Sequence, residues 1–207
     1  MGFDKLSFDL GGETVLERSV RAFDECPEVD ELVIVTGASS ENAQRAAARC
    51  KKPVRLVRGG STRAESARSG VAAAHGRLVA VHDAARPFVS QSVIADTIAA
   101  AARCGAAAPA VPVKDTVKVA AADGAVLETP DRSTLRAVQT PQVFEAELLK
   151  AALQSALENN VPVTDDCSAV ERLGKEVHLT EGSEENIKIT TPVDLAIAEA
   201  ILQRRGE

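Results

Sequence analysis

The chain has 207 residues, of which 45% are hydrophobic and 26% charged. These proportions are ordinary for a globular protein and predict one domain, residues 1–207, with a sizeable core. The net charge of −6 and the absence of Trp and Tyr argue against a general nucleic-acid binder, which needs basic surface and stacking aromatics. No apolar run approaches the roughly 18 residues of a membrane span, and no signal peptide is visible. We therefore expect a cytoplasmic protein with neither a nucleic-acid nor a membrane partner.

Strands and helices alternate in the first half of the chain. A Gly11-Gly12 turn precedes a predicted helix over residues 13–26, and a β-branched strand over residues 31–37 precedes a helix over residues 40–50. The alternation continues with strand 54–57, helix 62–74, strand 78–81, helix 91–104 and strand 106–113. It predicts an α/β fold with a doubly wound, mostly parallel, Rossmann-like sheet and right-handed crossovers.

The pattern changes beyond residue 113. Residues 116–119 and 125–128 flank Asp123-Gly124, which is a strong β-hairpin signal. This projecting arm, at about residues 114–137, has too little apolar surface to be stable alone. The chain then returns with a predicted strand over 138–144, a helix over 145–157, a short helix over 164–173 with Thr164 as N-cap, and a strand over 177–180. Thr191, Pro192 and Asp194 specify the N-cap, N1 and N3 positions of a final helix.

One stretch places an acid and a base directly after an apolar run. Residues 78–81 suit a buried parallel strand, and Asp83 and Arg86 follow it. In open α/β sheets, ligands bind beyond the carboxyl ends of the strands. A carboxylate there can hold a divalent metal, and an arginine can meet a phosphate with two parallel hydrogen bonds. On spacing alone, a surface ion pair in a loop explains the two residues equally well.

Two further segments combine a structural and a functional interpretation. Residues 59–63, Gly-Gly-Ser-Thr-Arg, form a glycine turn that opens a helix and suits an anion or a base edge, although such a turn can also be mere loop geometry. Asp165 and Asp166 are candidate metal ligands, but acids in a first helical turn also complement the helix dipole. We favour the structural role for these two acids, and solvation for the acidic run at Glu184 and Glu185.

The segment at residues 82–88, His-Asp-Ala-Ala-Arg-Pro-Phe, resembles the signature of the 2-C-methyl-D-erythritol 4-phosphate cytidylyltransferase family. Other segments agree in the same order: Gly-Gly-Ser-Thr-Arg-Ala-Glu-Ser at 59–66, Pro-Val-Lys-Asp-Thr-Val-Lys at 112–118, Asp-Arg at 131–132, Gln-Thr-Pro-Gln-Val-Phe at 139–144, Thr-Asp-Asp at 164–166 and Asn-Ile-Lys-Ile-Thr at 186–190. An ordered series over nearly the whole chain is far more specific than any single motif.

The resemblance implies an enzyme of non-mevalonate isoprenoid synthesis that joins CTP and methylerythritol phosphate and releases pyrophosphate. The attacking phosphate is already an anion, so no protein nucleophile is needed. The reaction needs charge neutralisation and in-line positioning, which lysines, arginines and Mg²⁺ supply. This requirement agrees with the lack of any Ser-His-Asp or Cys-His arrangement, and we expect His82 to be structural.

The resemblance also implies a role for each residue that matches the family pattern. The expected catalytic residues are Lys5, Arg132 and Lys188; the expected nucleotide contacts are Gly60, Arg63, Ser66, Ala84 and Arg86; and Asp83 is the expected Mg²⁺ ligand. Thr116, Arg132, Thr140 and Lys188 are expected to hold methylerythritol phosphate. A homodimer is implied as well, in which the arm carries Thr116 and Arg132 to the neighbouring subunit's site.

The beginning of the sequence departs from the family pattern. Residues 1–6, Met-Gly-Phe-Asp-Lys-Leu, resemble the end of the family's glycine-rich nucleotide loop, without the strand and the arginine-containing part that normally precede them. We therefore expect either low stability and little turnover from this chain, or a longer natural protein. Two alternatives stay open: a cytidylyltransferase for another alditol phosphate such as ribitol 5-phosphate, and a nucleotide-binding relative without catalysis.

Overall fold

The computed structural model describes residues 5–37, 40–159 and 161–206. The helices in these ranges are α1 (Val15–Asp24), α2 (Glu41–Arg49), α3 (Arg63–Ala73), α4 (Gln91–Cys104), α5 (Ala146–Glu158), α6 (Asp166–Arg172) and α7 (Pro192–Arg205). The strands are β1 (Asp9–Leu10), β2 (Glu13–Thr14), β3 (Leu32–Thr36), β4 (Val54–Arg58), β5 (Leu78–Val81), β6 (Ala106–Pro112), β7 (Val119–Ala120), β8 (Val126–Glu128), β9 (Arg136–Val138), β10 (Gln142–Glu145) and β11 (His178–Glu181). Short 3₁₀ helices lie at Lys5–Ser7 and Arg132–Thr134.

A capping box sets the beginning of α1. The Thr14 hydroxyl accepts the Glu17 N–H, and the Glu17 carboxylate accepts the Thr14 N–H. The helix therefore begins at Val15, and Glu13, which was predicted to be helical, lies in β2.

The predicted N-cap is wrong for α6 and confirmed for α7. Asp165, rather than the expected Thr164, caps α6. The final helix begins as predicted, with Thr191 at the N-cap, Pro192 at N1 and Asp194 at N3. A proline at N1 followed by an acid at N3 specifies a helix start more precisely than a run of two acids does.

The central sheet is mixed. β10 lies between β5 and β6 and runs antiparallel to both, whereas β11 runs parallel to β6. Consequently β5, β6 and β11 share one direction and β10 opposes them. β9 adds to β6 in antiparallel orientation, and β3 and β4 form a separate parallel pair. The predicted α/β class is confirmed, and the mostly parallel arrangement is corrected to a mixed one.

The return of the chain from the arm also differs from the prediction. Residues 138–144 were expected to form one strand, but β9 ends at Val138 and β10 begins at Gln142. The Thr140–Pro141 peptide between them is cis, and a proline has no N–H with which to continue a ladder. Residues 116–118 are likewise outside any strand, since β7 begins at Val119.

A cleft of about 820 Å³ separates β3 from β5. All residues of β5 and all of β3 line it, and in the described ranges β3 pairs only with β4 and β5 only with β10. The β5 run, expected to be buried, is therefore half-buried along its whole length. On the other side of β5, Val143 and Phe144 of β10 are fully buried.

The largest core cluster lies beside β10. Phe144 packs there with Leu149 and Leu153 of α5 and with Val170 of α6. This packing fixes the strand next to β5, and with it the edge of the cleft.

The arm is a hairpin of β7 and β8 with a turn at Gly124, whose φ is +90°. Its apolar side chains stay exposed, with Leu127 at 68%. No helix in the described part of the chain is both long enough and apolar enough to cross a bilayer.

Candidate active site

The carboxyl ends of β4 and β5 open onto the same cleft. Gly60, Arg63 and Ser66, which follow β4, line it together with Asp83 and Ala84, which follow β5. The structure therefore brings together five of the residues predicted to hold nucleotide and metal. This is the position at which open α/β sheets bind ligands.

Residues 83–86, here called the Asp83 turn, are fixed through every backbone carbonyl. The bonds are Arg86 N–H to Asp83 O at 2.9 Å, Ser19 Oγ to Ala84 O at 2.8 Å, Ile189 N–H to Ala85 O at 2.8 Å, and His82 Nε2 to Arg86 O at 3.1 Å. The first bond closes the turn itself, and the other partners come from α1, from the segment before α7 and from the end of β5. Three separate parts of the fold thus hold the turn in one conformation.

A closed ring of hydrogen bonds surrounds this turn. Its four members are Thr140 Oγ1 with His82 Nδ1 at 2.9 Å, His82 Nε2 with Arg86 O at 3.1 Å, Arg86 Nη1 with Asn186 O at 2.6 Å, and Asn186 Nδ2 with Thr140 O at 2.9 Å. The Asp83 N–H also donates to Thr140 Oγ1, at 3.1 Å. Burial lowers the pKa of His82 to about 4, so the imidazole in this ring is neutral at pH 7.

Cationic groups surround the Asp83 carboxylate. Lys188 Nζ lies 2.8 Å from Oδ2, and Arg86 Nε lies 3.8 Å from the same oxygen. Burial raises the pKa of Asp83, but the Lys188 hydrogen bond and charge, with Arg86 and Arg63 beyond it, outweigh this effect and hold the pKa below its usual range. Asp83 is thus an anion at neutral pH. Lys188 contacts this candidate metal ligand directly.

The donor set at Asp83 fits Mg²⁺. Oδ2 is bonded to Lys188, and Oδ1 has no hydrogen-bond partner among the described residues. No group of three or more His, Cys, Asp or Glu side chains suited to a metal occurs in the described ranges. Mg²⁺ commonly binds through one or two carboxylates, several waters and substrate phosphates, so a single carboxylate beside a nucleotide cleft is sufficient.

The glycine turn after β4 is held by its own side chains. Ser66 Oγ accepts the Gly60 N–H at 3.1 Å and donates to Thr62 O at 2.9 Å, while the Glu65 carboxylate accepts the Ser61 N–H at 2.7 Å. A Cβ at Gly60 would lie 2.3 Å from Glu65 Cβ, so only glycine fits. The structure gives Ser66 a role in shaping the turn that the sequence interpretation did not include.

Arg63 is oriented by a buried acid. Its Nη1 and Nη2 lie 3.0 and 2.6 Å from the two oxygens of Asp166, which is completely buried. Burial lowers the pKa of Arg63, but the bonds and charge of Asp166 outweigh it and raise the pKa. Two of the five guanidinium donors are used in this way.

Gln142 joins the same assembly to β10. Its Oε1 accepts the N–H groups of Asp166 and Cys167, and its Nε2 donates to Asp165. The acids at 165 and 166 thus have structural partners, as the sequence interpretation favoured.

Arg86 is largely buried beside the Asp83 turn. Its side chain is only 12% exposed, with Nη1 bonded to Asn186 O and Nε near Asp83. A guanidinium held in this way supports the turn, and its contact with the nucleotide stays a prediction. Thr140, also a predicted ligand contact, is buried, and its hydroxyl is bonded on two sides.

The remaining predicted residues belong to other elements than the Asp83 turn. Thr116 and Arg132 are exposed on the arm, where Arg132 Nη1 donates to Lys114 O. Lys5 is in the first 3₁₀ helix, and residues 1–4 of the segment that resembles the nucleotide loop lie outside the described ranges. Glu184 pairs with Lys114, and Glu185 with Arg204 and Arg205, so both acids have cationic partners.

Sequence reasoning did not assign Ser19 or Asn186 a place at the site. Asn186 is completely buried and opens the Asn-Ile-Lys-Ile-Thr segment, so its motif was a signal. Ser19 lies in a helix 65 residues before the carbonyl that it bonds, and no local pattern points to that contact.

The fold and the site define an α/β nucleotidyltransferase. The family model for IspD, 2-C-methyl-D-erythritol 4-phosphate cytidylyltransferase, matches residues 1–204, and the chain belongs to this family. It is 45% identical over 207 residues to the curated enzyme of that name from Symbiobacterium thermophilum, with 99% of this chain and 87% of the relative covered.

Solved structures agree with this assignment. The 4-diphosphocytidyl-2C-methyl-D-erythritol synthase of Anaerococcus prevotii superposes with a TM-score of 0.89 at 34% identity, covering 95% of this chain and 88% of the other. The 2-C-methyl-D-erythritol 4-phosphate cytidylyltransferase of Thermus thermophilus gives a TM-score of 0.83 at 36% identity, covering 96% and 94%. The chain is therefore an enzyme of the nucleotidyltransferase class.

Proposed function

We propose that this chain joins CTP and 2-C-methyl-D-erythritol 4-phosphate to give 4-diphosphocytidyl-2-C-methyl-D-erythritol and pyrophosphate. One observation carries the proposal within the molecule: a single ionised acid, Asp83, lies at the carboxyl end of β5 with Lys188 bonded to it and Arg63 nearby. Two polyanionic substrates can meet only where their charge is neutralised. The family membership specifies the substrates.

The chemistry requires positioning and charge rather than a protein nucleophile. A 4-phosphate oxygen attacks the α-phosphorus of CTP, the α–β phosphoanhydride bond breaks, and pyrophosphate leaves with the electron pair. Lys188, 2.8 Å from Asp83, would hold a phosphate beside it. Mg²⁺, held by Asp83, would neutralise charge on the nucleotide phosphates when bound.

The remaining residues position the nucleotide or complete the site. Gly60 and Ala84 allow the close approach of the nucleotide to the cleft, with Arg63 aimed by Asp166 and Ser66 shaping the turn. Arg86 acts by holding the Asp83 turn. Lys5 is assigned to the nucleotide phosphates, and Thr116 and Arg132 to methylerythritol phosphate, on the family pattern.

Asp83→Asn tests this proposal. A neutral amide is a poor ligand for a hard cation, so turnover should fall by about 10²–10³ with the fold retained. Pyrophosphate release from CTP would be measured with methylerythritol phosphate and with ribitol 5-phosphate. The matched control is Glu199→Gln, an exposed acid on α7, which should leave turnover unchanged. Near-normal turnover of Asp83→Asn in saturating CTP and Mg²⁺ contradicts the proposal, and a preference for ribitol 5-phosphate would redirect it.

The exposed arm supports a homodimer that shares its sites. Val119, Val126 and Leu127 are 43%, 58% and 68% exposed on a two-stranded hairpin, which is marginal alone in water. Burial of this apolar face by a second copy would place Thr116 and Arg132 at the neighbouring site. A mixture of Arg132→Ala and Lys188→Ala subunits should then regain part of the activity that each lacks alone. A fully active monomer would exclude this arrangement.

A further inference from the structure

The hydrogen bonds at the Asp83 turn show which of their atoms donate and which accept. The Arg86 carbonyl can only accept, so His82 Nε2, 3.1 Å away, must donate. In the neutral imidazole the other nitrogen is then an acceptor. Thr140 Oγ1, 2.9 Å from Nδ1, therefore donates to His82 while accepting the Asp83 N–H at 3.1 Å. In this series of hydrogen bonds, from the Asp83 N–H through Thr140 and His82 to the Arg86 carbonyl, each donor has one acceptor. The donors and acceptors are therefore mutually consistent.

Packing around His82 keeps the imidazole in place. The Phe23 ring lies 4.8 Å from it, centroid to centroid, tilted by 53°, and Phe23 itself is buried. Thr140 is only 5% exposed, with its hydroxyl bonded on both sides and its carbonyl bonded to Asn186. A hydroxyl used twice inside the protein is poorly placed to serve as a substrate contact as well.

We propose that His82 is a positioning residue for the transfer reaction, acting through Thr140 and the Arg86 carbonyl to fix the turn that carries Asp83 and Ala84. The inference rests on the proposed function of this site and deepens it. Thr140 then acts through the turn, rather than by contacting methylerythritol phosphate as its place in the family pattern implies. The bond to the Arg86 carbonyl requires a proton on His82 Nε2.

Matched variants separate the two bonds of the imidazole. In His82→Gln the amide reaches the place of Nε2, which keeps the bond to Arg86 O and loses the bond to Thr140. In His82→Asn the amide oxygen lies near the place of Nδ1, which keeps the bond to Thr140 and loses the other. Thr140→Val removes the hydroxyl at similar volume. The control is Thr97→Val, a fully buried threonine on α4 whose hydroxyl bonds Val93 O at 2.6 Å and Thr180 Oγ1 at 3.0 Å.

The kinetic expectation is a loss in kcat without a loss of substrate binding. His82→Gln and Thr140→Val should each lower kcat about 10- to 100-fold. Either change would let the turn that carries Asp83 shift, and a small displacement of a reacting group lowers the rate by about this factor. The KM for methylerythritol phosphate should stay within about twofold. The double variant should be no slower than the worse single one, because both remove the same bond. Thr97→Val should lower stability and leave kcat unchanged. A raised KM for methylerythritol phosphate in Thr140→Val alone, or additive losses, would overturn the inference.

A second measurement does not depend on activity. Ring ¹⁵N spectra of the cation-free protein at pH 7 should show a proton on His82 Nε2. The Asp83 amide should be protected from hydrogen exchange in the wild type and in Thr97→Val, and lose that protection in Thr140→Val. A His82 Nε2 without a proton, or unchanged protection in Thr140→Val, contradicts the inference. If Asp83→Asn stays active while His82→Gln and Thr140→Val lose kcat, the role proposed for Asp83 fails and the positioning of the turn stands.

Discussion

The family pattern locates site residues both in the Asp83 turn and on the arm, and these two places differ in how firmly the fold holds them. In the turn, every backbone carbonyl of residues 83–86 accepts a hydrogen bond, and α1 and the segment before α7 supply two of the donors. In the arm, the strands are two and three residues long and all of their side chains are exposed. The same chain thus holds the turn by contacts from three parts of the fold and leaves the strands of the arm exposed.

This difference predicts which of the two places depends on another surface. A preorganised turn holds its charges before the substrate arrives, which is what electrostatic stabilisation of phosphoryl transfer requires. An exposed hairpin has few contacts that oppose local opening. The comparison therefore predicts that changes at the turn act on the single chain, whereas changes on the arm act on assembly.

The largest effect should come from removing a support of the turn. Asn186 is completely buried, and its Nδ2 donates to Thr140 O at 2.9 Å and to Gln139 Oε1 at 3.3 Å. Asn186→Ala leaves buried acceptors without this donor, so the free energy of unfolding should fall by about 2–3 kcal/mol. Urea denaturation measures this change.

The control for this variant lies on the arm. Thr129 is exposed there, and its hydroxyl accepts a bond from Lys118 Nζ at 2.8 Å. Thr129→Ala should alter the free energy of unfolding by less than about 0.5 kcal/mol. Equal losses in the two variants would remove the distinction between turn and arm.

Much of this architecture was predictable from the sequence, because local signals specify it. The alternation of strands and helices, the hairpin at Gly124 and the start of α7 all follow from periodicity, turn residues and caps. Asp83 directly follows the predicted strand in the sequence. The rule that ligands bind beyond the carboxyl ends of strands in α/β sheets made it a candidate for the site.

Long-range contacts account for what was missed. The half-burial of β5 arises from the cleft beside β3, a strand that lies far from β5 along the chain. The reversed direction of β10 and the pairing of Arg63 with Asp166, 103 residues away, leave no local pattern. The bonds of Thr140 to His82 and Asp83 likewise form only when the chain has folded.

An intermediate effect should follow from a charge on the arm. Leu127 is 68% exposed, so Leu127→Asp should leave the unfolding of the single chain nearly unchanged. A charge in an apolar contact should raise the dissociation constant of the proposed dimer at least about tenfold, or roughly 1.4 kcal/mol. Sedimentation equilibrium over a concentration series measures it.

Val193 supplies a matched comparison for that experiment. It is 69% exposed on α7 and is not part of the arm, so Val193→Asp should change neither stability nor assembly. If both aspartates weakened association equally, the effect would be one of net charge, and the arm would not be the interface.

The smallest effect concerns the helix that follows the support of the turn. Asp194 Oδ2 accepts the N–H groups of Thr190 and Thr191 at 2.8 and 2.7 Å, directly after the segment that contributes Asn186, Lys188 and Ile189. These bonds lower the pKa of Asp194 to about 2 from an ordinary value of 3.8.

Because the folded pKa is depressed, the stabilisation by Asp194 is fully present above pH 3.8 and is lost as the pH falls towards 2. Asp194→Ala should therefore lower the free energy of unfolding by about 1 kcal/mol at pH 7, and the difference from the wild type should shrink across that acid range. Thermal melting of both proteins at a series of pH values measures this, with Glu199→Gln as the control for losing an acid on the same helix. A difference that persisted undiminished at pH 2 would show that the charge of the Asp194 carboxylate is not what stabilises the start of α7.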